Sequence, residues 1–243
     1  MDTVQHKPVK HSKPRKPGFE ELYSAVRVHE QKVYTDTQLQ ALPDFYIHSH
    51  EWEIRKHSTN RLLAYLQRKR KFLKILEVGC GNGWLSAKMA NLPGTYVTGI
   101  DVNHAEILQA ARVFRIPNLE FIYDSFNENT FDTERFDIIV FAASLQYFPS
   151  VVIILQQAER VLNRGGEIHI IDTPFYESEA VSKAAERCRS YYKDMGIPEM
   201  ADHYFHHSIS EFWGFNYRVL LNPGSWFNRL FKKHPFYWIA IHK

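Results

Sequence analysis

Apolar residues in the first third of the chain recur at helical spacing. Phe19, Leu22, Tyr23 and Val26 fall at i, i+3, i+4 and i+7, one face of an amphipathic helix. Leu42-Pro43-Asp44 interrupts the pattern, and a second helix is expected from near Ser49 through Trp52, Leu62 and Leu63 to Leu66. It runs into Arg68-Lys69-Arg70-Lys71, whose charge suits the negative end of a helix dipole. From residue 74 the period changes. Short apolar runs at 74–78, 96–100, 120–123, 136–141 and 166–171 read as strands, and the stretches 84–91, 105–114 and 151–162 between them read as helices. Gly165-Gly166 reads as a helix stop and a turn into the fifth strand. A longer helix is expected over about 177–195, with Ala180, Ala184, Cys188 and Tyr192 on one side. An aromatic, histidine-rich segment follows to Phe215. Two last strands, 216–221 and 236–241, flank a loop with Pro223, Gly224 and a short helix. Strands separated by helical crossovers predict an α/β fold, a parallel sheet with helices on both faces.

Composition adds bounds. At 243 residues, 44% hydrophobic, the chain suits one large domain or one domain with an appendage. The net charge of +3 is concentrated at the start, where Lys7, Lys10, Lys13, Arg15 and Lys16 stand against Asp2 alone. The remainder is close to neutral, which argues against a broad nucleic-acid-binding face. Residues 1–18, with three prolines among the lysines, read as a disordered basic tail. Two cysteines, Cys80 and Cys188, suit neither a disulfide framework nor a four-cysteine zinc site. No apolar run is long enough for a transmembrane helix or a signal peptide, so the cytoplasm is the expected setting.

The chemistry concentrates where the first strand ends. Residues 74–84 read Lys-Ile-Leu-Glu-Val-Gly-Cys-Gly-Asn-Gly-Trp, with Gly79, Gly81 and Gly83 at alternate positions. Glycines so spaced let the backbone turn sharply and approach a ligand where a Cβ would collide. The spacing is G-x-G-x-G, and Trp84 stands where the third glycine of a dinucleotide-binding turn would be. The second strand ends in Asp101, whose carboxylate could accept both hydroxyls of a ribose. The third ends in Asp124, suited to accept from an adenine amino group. The fourth leads into the small residues Ala142 and Ala143, which leave room for a ligand. All these ends share the sheet edge where open α/β folds bind ligands.

With Glu77, the three glycines, Asp101 and Asp124 in register, the chain resembles the class I S-adenosylmethionine-dependent methyltransferases of small-molecule type, such as those of quinone biosynthesis. The likeness is strong over about 70–174 and weaker over 216–242. It implies a Rossmann-like, doubly wound seven-stranded sheet with an antiparallel last strand and an N-terminal helical cap over 19–71. The catalytic domain would be 72–243, divided into a cofactor-binding core (72–174), a substrate or lid segment (about 175–215) and a closing strand pair (216–242). The resemblance implies S-adenosyl-L-methionine as methyl donor. Glu77 and Gly79 would line its methionine end, and Cys80, Gly81, Asn82 and Gly83 would form the loop beside it. Asp101 would hold the ribose with Val102 against the adenine, Asp124 and Ser125 would read the adenine edge, and Phe141 and Ala142 would lie beneath the methionine. His50, Trp52 and Arg55 are the cap residues that could touch it.

The acceptor is less constrained. A sulfonium methyl is already electrophilic, so the protein chiefly places a nucleophile in line with it in a dry site. A base is needed only where the acceptor loses a proton, and no catalytic residue is fixed. Tyr147 after the fourth strand, Asp172 after the fifth, and His203 or His206 beyond are the candidates. His203, His206 and His207 lack a clear acidic fourth ligand, so no metal is expected. The Asn/Asp-Pro-Pro-Tyr/Phe signature of nucleic-acid amino methyltransferases is replaced by Ala143-Ser144-Leu145-Gln146. The Pro-Cys nucleophile of cytosine enzymes and the paired-glutamate loop of protein arginine enzymes are also missing. A small organic acceptor, methylated on O, N or C, is the expectation, and neither stable nucleic-acid binding nor membrane insertion is expected. The alternatives are a protein or RNA methyltransferase guided by the basic tail, a non-catalytic cofactor-binding protein and an NAD-dependent oxidoreductase.

Overall fold

A computed structural model describes residues 10–11, 18–44, 47–69, 71–127, 129–131, 135–226 and 234–243. Most of the expected tail and of the short helix after Gly224 therefore lies outside the described residues. Lys10–His11 (β1), expected within a disordered tail, is instead a two-residue strand paired parallel with Ile122 and Tyr123 at the sheet's edge. The N-terminal helices are Phe19–His29 (α1), Asp36–Gln40 (α2) and Ser49–Gln67 (α3). The alternating region then gives Leu73–Val78 (β2), Trp84–Ala90 (α4), Thr95–Asp101 (β3), His104–Val113 (α5), Leu119–Tyr123 (β4), Phe136–Ala142 (β5), Val151–Val161 (α6) and Leu162–Ile171 (β6). Phe175–Tyr176 (β7) pairs with His207–Ser208 (β8) as a separate ribbon around Val181–Asp194 (α7). Tyr217–Leu221 (β9) and Trp238–His242 (β10) complete the sheet.

The sheet order is β1-β4-β3-β2-β5-β6-β10-β9. Seven strands match the expected architecture, and β1 extends the β4 edge. β10 runs antiparallel between β6 and β9, while β2 to β6 are all parallel. The order in which successive strands are added reverses between β2 and β5, which opens a crevice at their carboxyl ends. The central strands are apolar on both faces, as a sheet covered twice requires. Leu62 and Leu66 of α3, Leu85 and Met89 of α4, and Ile107 and Ala110 of α5 fill one face. Ile154, Leu155, Ala158 and Val161 of α6 fill the other, at helical spacing. Each fully buried aliphatic side chain of this kind stabilises the fold by roughly 1.5–3 kcal/mol. Asn103 and Ser150 start α5 and α6 by accepting the Glu106 and Ile153 N–H groups, at 3.0 and 3.3 Å.

Two further details differ from the expectation. Gly165-Gly166 does not precede the fifth long strand. The β5–β6 pairing begins at Phe136↔Leu162 and resumes at Ile138↔Glu167, so the glycines lie in a bulge opposite Asp137. The helices of 19–71 also divide their roles. α3 packs on the sheet, whereas Val26 of α1 packs against Tyr192 of α7 and Met200 in a third apolar cluster above the strand ends. No helix of the described residues is long and apolar enough to cross a membrane.

Candidate active site

Three strands leave the sheet through residues with left-handed backbone: Gly79 after β2 (φ 74°), Ala143 after β5 (φ 52°) and Asp172 after β6 (φ 55°). Gly79 is required twice over. A Cβ there would lie 2.5 Å from Ser144 Cβ, and its φ disfavours any L side chain. Ser144 is held in place by donating to the Val78 carbonyl at 2.6 Å. Gly83 has a different reason, since its Cβ would meet the Phe121 ring at 2.5 Å where α4 packs onto the sheet.

A cavity of about 500 Å³ opens above these ends, with Gly79, Asp101, Val102 and Asp124 in its wall. Asp101 Oδ2 accepts the Gly81 N–H and Oδ1 the Asn103 N–H, both at 2.8 Å. Each oxygen keeps a lone pair for a further donor. Burial, then the nearby Glu106 carboxylate, pushes the Asp101 carboxyl up to about 6. Helix α1 latches over this corner. Glu20 accepts the His104 N–H at 2.6 Å and the Tyr123 hydroxyl at 3.0 Å. Ser24 accepts from Asn103 at 3.1 Å, and Arg27 pairs with Glu106 at 3.3 Å.

Other expected cofactor contacts lie elsewhere. Glu77 is buried and accepts from the Ser86 hydroxyl of α4, and burial raises its carboxyl to about 8. It braces the loop from behind. The Cys80 sulfur packs against Gly99, where an added Cβ would meet it at 2.9 Å, and burial pushes the thiol up. Gly81 contributes its N–H to Asp101, and Asn82 is buried in the loop. Neither Gly81, Asn82 nor Gly83 lines the cavity. The Ser125 carbonyl serves its own turn, accepting from Asn127 and Thr130 at 3.2 and 3.1 Å. Phe141 is fully buried on the α6 face, edge-on to Phe148 at 6.0 Å, and Ala142 faces the opposite core. Ala143 and Ser144, just beyond the strand, line the cavity instead. Trp52 is structural, donating to the Tyr34 hydroxyl at 3.0 Å and crossing Trp84 edge-on.

A second cavity, about 600 Å³, adjoins the first and shares Tyr23, Ala143 and Tyr147 with it. Its inner wall is aromatic. Tyr147 stands edge-on to Tyr23 at 5.6 Å and to Tyr204 at 5.7 Å, with Tyr192 of α7 behind. Burial pushes the Tyr147 hydroxyl up to about 12, so it stays a neutral donor. At the rim the charges pair off. Glu51 takes Arg55 and Lys32, both at 3.0 Å, and Glu30 takes Lys32 at 2.9 Å and the Tyr191 hydroxyl at 2.6 Å. His50 and Arg55 lie on this rim, away from the first cavity.

The four candidate catalytic side chains separate between the two spaces. Tyr147 faces both, His203 lines the first, and Asp172 and His206 line the second. His207 is buried instead and faces Glu211 at 3.6 Å, so the three histidines do not converge. Ser144 falls in the segment after the fourth long strand where candidates are expected, whereas Tyr23 reads from the sequence only as part of a buried helical face. The Phe19–Val26 stripe gave a signal, but helical spacing alone does not distinguish a face on a core from one on a cavity.

The architecture and comparison with known proteins agree. A methyltransferase-domain family model matches residues 69–225. The chain is 36% identical over 110 residues to a demethylmenaquinone methyltransferase of Chlorobaculum tepidum, covering 45% of this chain and 44% of that protein. It is 35% identical over 125 residues to a ubiquinone biosynthesis O-methyltransferase of Glaesserella parasuis, covering 47% and 52%. The chain thus spans about half the length of these curated relatives. Among solved structures, a plantazolicin methyltransferase in complex with a pentazolic desmethylPZN analog and SAH superposes with a TM-score of 0.51 at 18% identity, covering 93% of this chain and 99% of that one. That likeness speaks for the fold. With the glycine turn, the strand-end acids and the matched span all falling on the same sheet edge, the chain belongs to the methyltransferase-domain family.

Proposed function

We infer that the protein transfers the methyl group of S-adenosylmethionine to a small, ring-containing organic acceptor. The observation that carries this reading is the pair of adjoining cavities: one bears Asp101, Asp124 and the Gly79 turn, the other an aromatic wall, and Tyr23, Ala143 and Tyr147 border both. The residues present fit the donor. Asp101 has spare acceptor capacity for ribose hydroxyls, and the left-handed Gly79 keeps the floor free of a side chain. When bound, S-adenosylmethionine supplies an electrophilic methyl group on a sulfonium.

The chain's own residues then position and desolvate. Asp101 and Asp124 orient the nucleoside, α1 closes over it through Glu20, Ser24 and Arg27, and Tyr147 forms the partition between donor and acceptor spaces. The aromatic wall supports a planar acceptor through offset or edge contacts, each worth about 0.5–1.5 kcal/mol beyond area burial. In this reading 72–174 hold the donor, 175–215 form the lid over the acceptor, 216–242 close the sheet, and 19–71 contribute the cap.

Incubation with methyl-labelled S-adenosylmethionine and separated cell fractions tests the assignment. Label should enter the deproteinised small-molecule fraction, and removing residues 1–17 should leave that rate essentially unchanged. Label confined to protein or RNA, and lost with the tail, would contradict it.

A further inference from the structure

Beside the second cavity lies a buried acid–histidine pair, Asp172 and His234, of which Asp172 is in the cavity wall. Asp172 directly follows β6, and its backbone takes a left-handed turn that L residues rarely adopt. The neighbouring Ala143 N–H donates to the Ile171 carbonyl at 3.0 Å, so Asp172 stands beside the junction of the two cavities. Its carboxylate is held from two distant elements. Oδ2 accepts the Ser58 hydroxyl of α3 at 2.8 Å, and Oδ1 faces His234 Nε2 at 3.4 Å. Oδ1 is covered and accepts no hydrogen bond among the described residues. A carboxylate oxygen accepts more than one bond, so the single bond from Ser58 leaves Oδ2 with acceptor capacity. Backbone in a disfavoured region, a buried carboxyl group and an adjoining cavity coincide at one residue. Such outliers persist where the surrounding structure over-determines them, commonly at functional sites.

Resting on the small-molecule reading above, we propose that Asp172 binds the acceptor's transferable O–H or N–H and takes its proton during methyl transfer, with His234 as a positioning residue behind it. This narrows the acceptor to one attacked at a protonated heteroatom, such as a phenol, and excludes attack from carbon. In the balanced step, a lone pair on the acceptor heteroatom forms the new bond to the methyl carbon as the methyl–sulfur bond breaks with its pair to sulfur. The heteroatom's proton passes to Asp172 Oδ2 and later to solvent. Neither an oxidant nor a reductant is involved. His234, facing Oδ1 at 3.4 Å, fixes the carboxylate's rotation and leaves Oδ2 as the acceptor.

The test uses the full chain saturated with S-adenosylhomocysteine at neutral pH and two probes of one shape, 4-methylphenol, which keeps its hydroxyl proton there, and 4-methylanisole. The phenol has the donor hydrogen and the ether lacks it. Wild type should bind the phenol at least about tenfold more tightly, the scale of one charge-assisted hydrogen bond. Asp172→Asn should lose most of that preference, and Asp172→Gly, which accepts the left-handed backbone, should lose all of it. Both variants should bind S-adenosylhomocysteine as wild type does, which also shows that they fold. His234→Ala should reduce the preference while leaving 4-methylanisole binding unchanged, and His234→Gln should restore part of it. An equal phenol preference in wild type and both Asp172 variants, or none in wild type, overturns the proposal while leaving the donor site intact. Failure of wild type to bind S-adenosylhomocysteine removes the underlying reading as well.

Discussion

Glu167 of β6 pairs with His169, and Asp172, the residue after β6, pairs with His234; both carboxylates are tied to α3, but their surroundings differ. Glu167 accepts Lys69 at 2.6 Å, the Tyr65 hydroxyl at 3.0 Å and His169 Nε2 at 3.1 Å, and the Trp238 indole donates to His169 Nδ1 at 3.1 Å. Both ring nitrogens of His169 and both oxygens of Glu167 are thereby used, and neither residue lines either site cavity. Asp172 has one firm hydrogen bond, from Ser58, and forms part of a cavity wall. The same residue types can therefore serve as a structural clamp or as chemistry held in reserve. What separates them is whether the lone pairs are spent and whether a ligand can reach what is left.

The clamp should dominate stability. Glu167→Ala leaves Lys69, Tyr65 and His169 facing a partly buried void, and urea unfolding should show a loss of about 3–5 kcal/mol. A loss below that of Asp172→Asn would reverse the comparison. The next effect is in acid. Burial would raise the Glu167 carboxyl, but its bonds from His169 and Lys69 win and hold it down at about 2. Its contribution is therefore complete above the ordinary glutamate range near pH 4.5 and is lost as pH falls toward 2. The difference in unfolding free energy between wild type and Glu167→Gln should narrow over that window, by at most about 3 kcal/mol. A difference independent of pH there would remove Glu167 as the titrating clamp. Asp172→Asn should cost only about 1–2 kcal/mol, the scale of a weakened buried hydrogen bond.

A third carboxylate, half-buried in the wall of the first cavity, sharpens the contrast further. Asp101 is raised to about 6, chiefly by burial, so its ionised form is complete only above that pH. S-adenosylhomocysteine affinity should hold above pH 6 and fall by about tenfold by pH 5. Asp101→Asn should flatten the profile, and a flat wild-type profile would separate Asp101 from the ligand.

The sheet was legible because each strand is a short apolar run and each crossover has helical period, and the long-strand boundaries fell close to those expected. The glycine turn and Asp101 were legible because a tight turn and a ribose each demand particular residue types. The rest depended on direction. In a strand buried on both faces, periodicity does not say which side Phe141 takes, and it takes the α6 side. Glu77 looked available to a ligand but is satisfied by Ser86, nine positions on. Lys69 read as a helix-end charge and instead reaches Glu167 across the chain. Likewise, His234 meets Asp172 only after the sheet is complete, and no local spacing announces that pair.

The central claim is that the cavity over Gly79 and Asp101 holds S-adenosylmethionine, and calorimetric titration with S-adenosylhomocysteine tests it directly. Wild type should bind with micromolar-range affinity, and Asp101→Ala should weaken binding by about a hundredfold, the equivalent of two charge-assisted hydrogen bonds. Neither NADH binding nor loss of the Glu167 clamp should substitute for that result. No heat of binding in wild type, or an Asp101→Ala variant that binds as wild type does, would contradict the account.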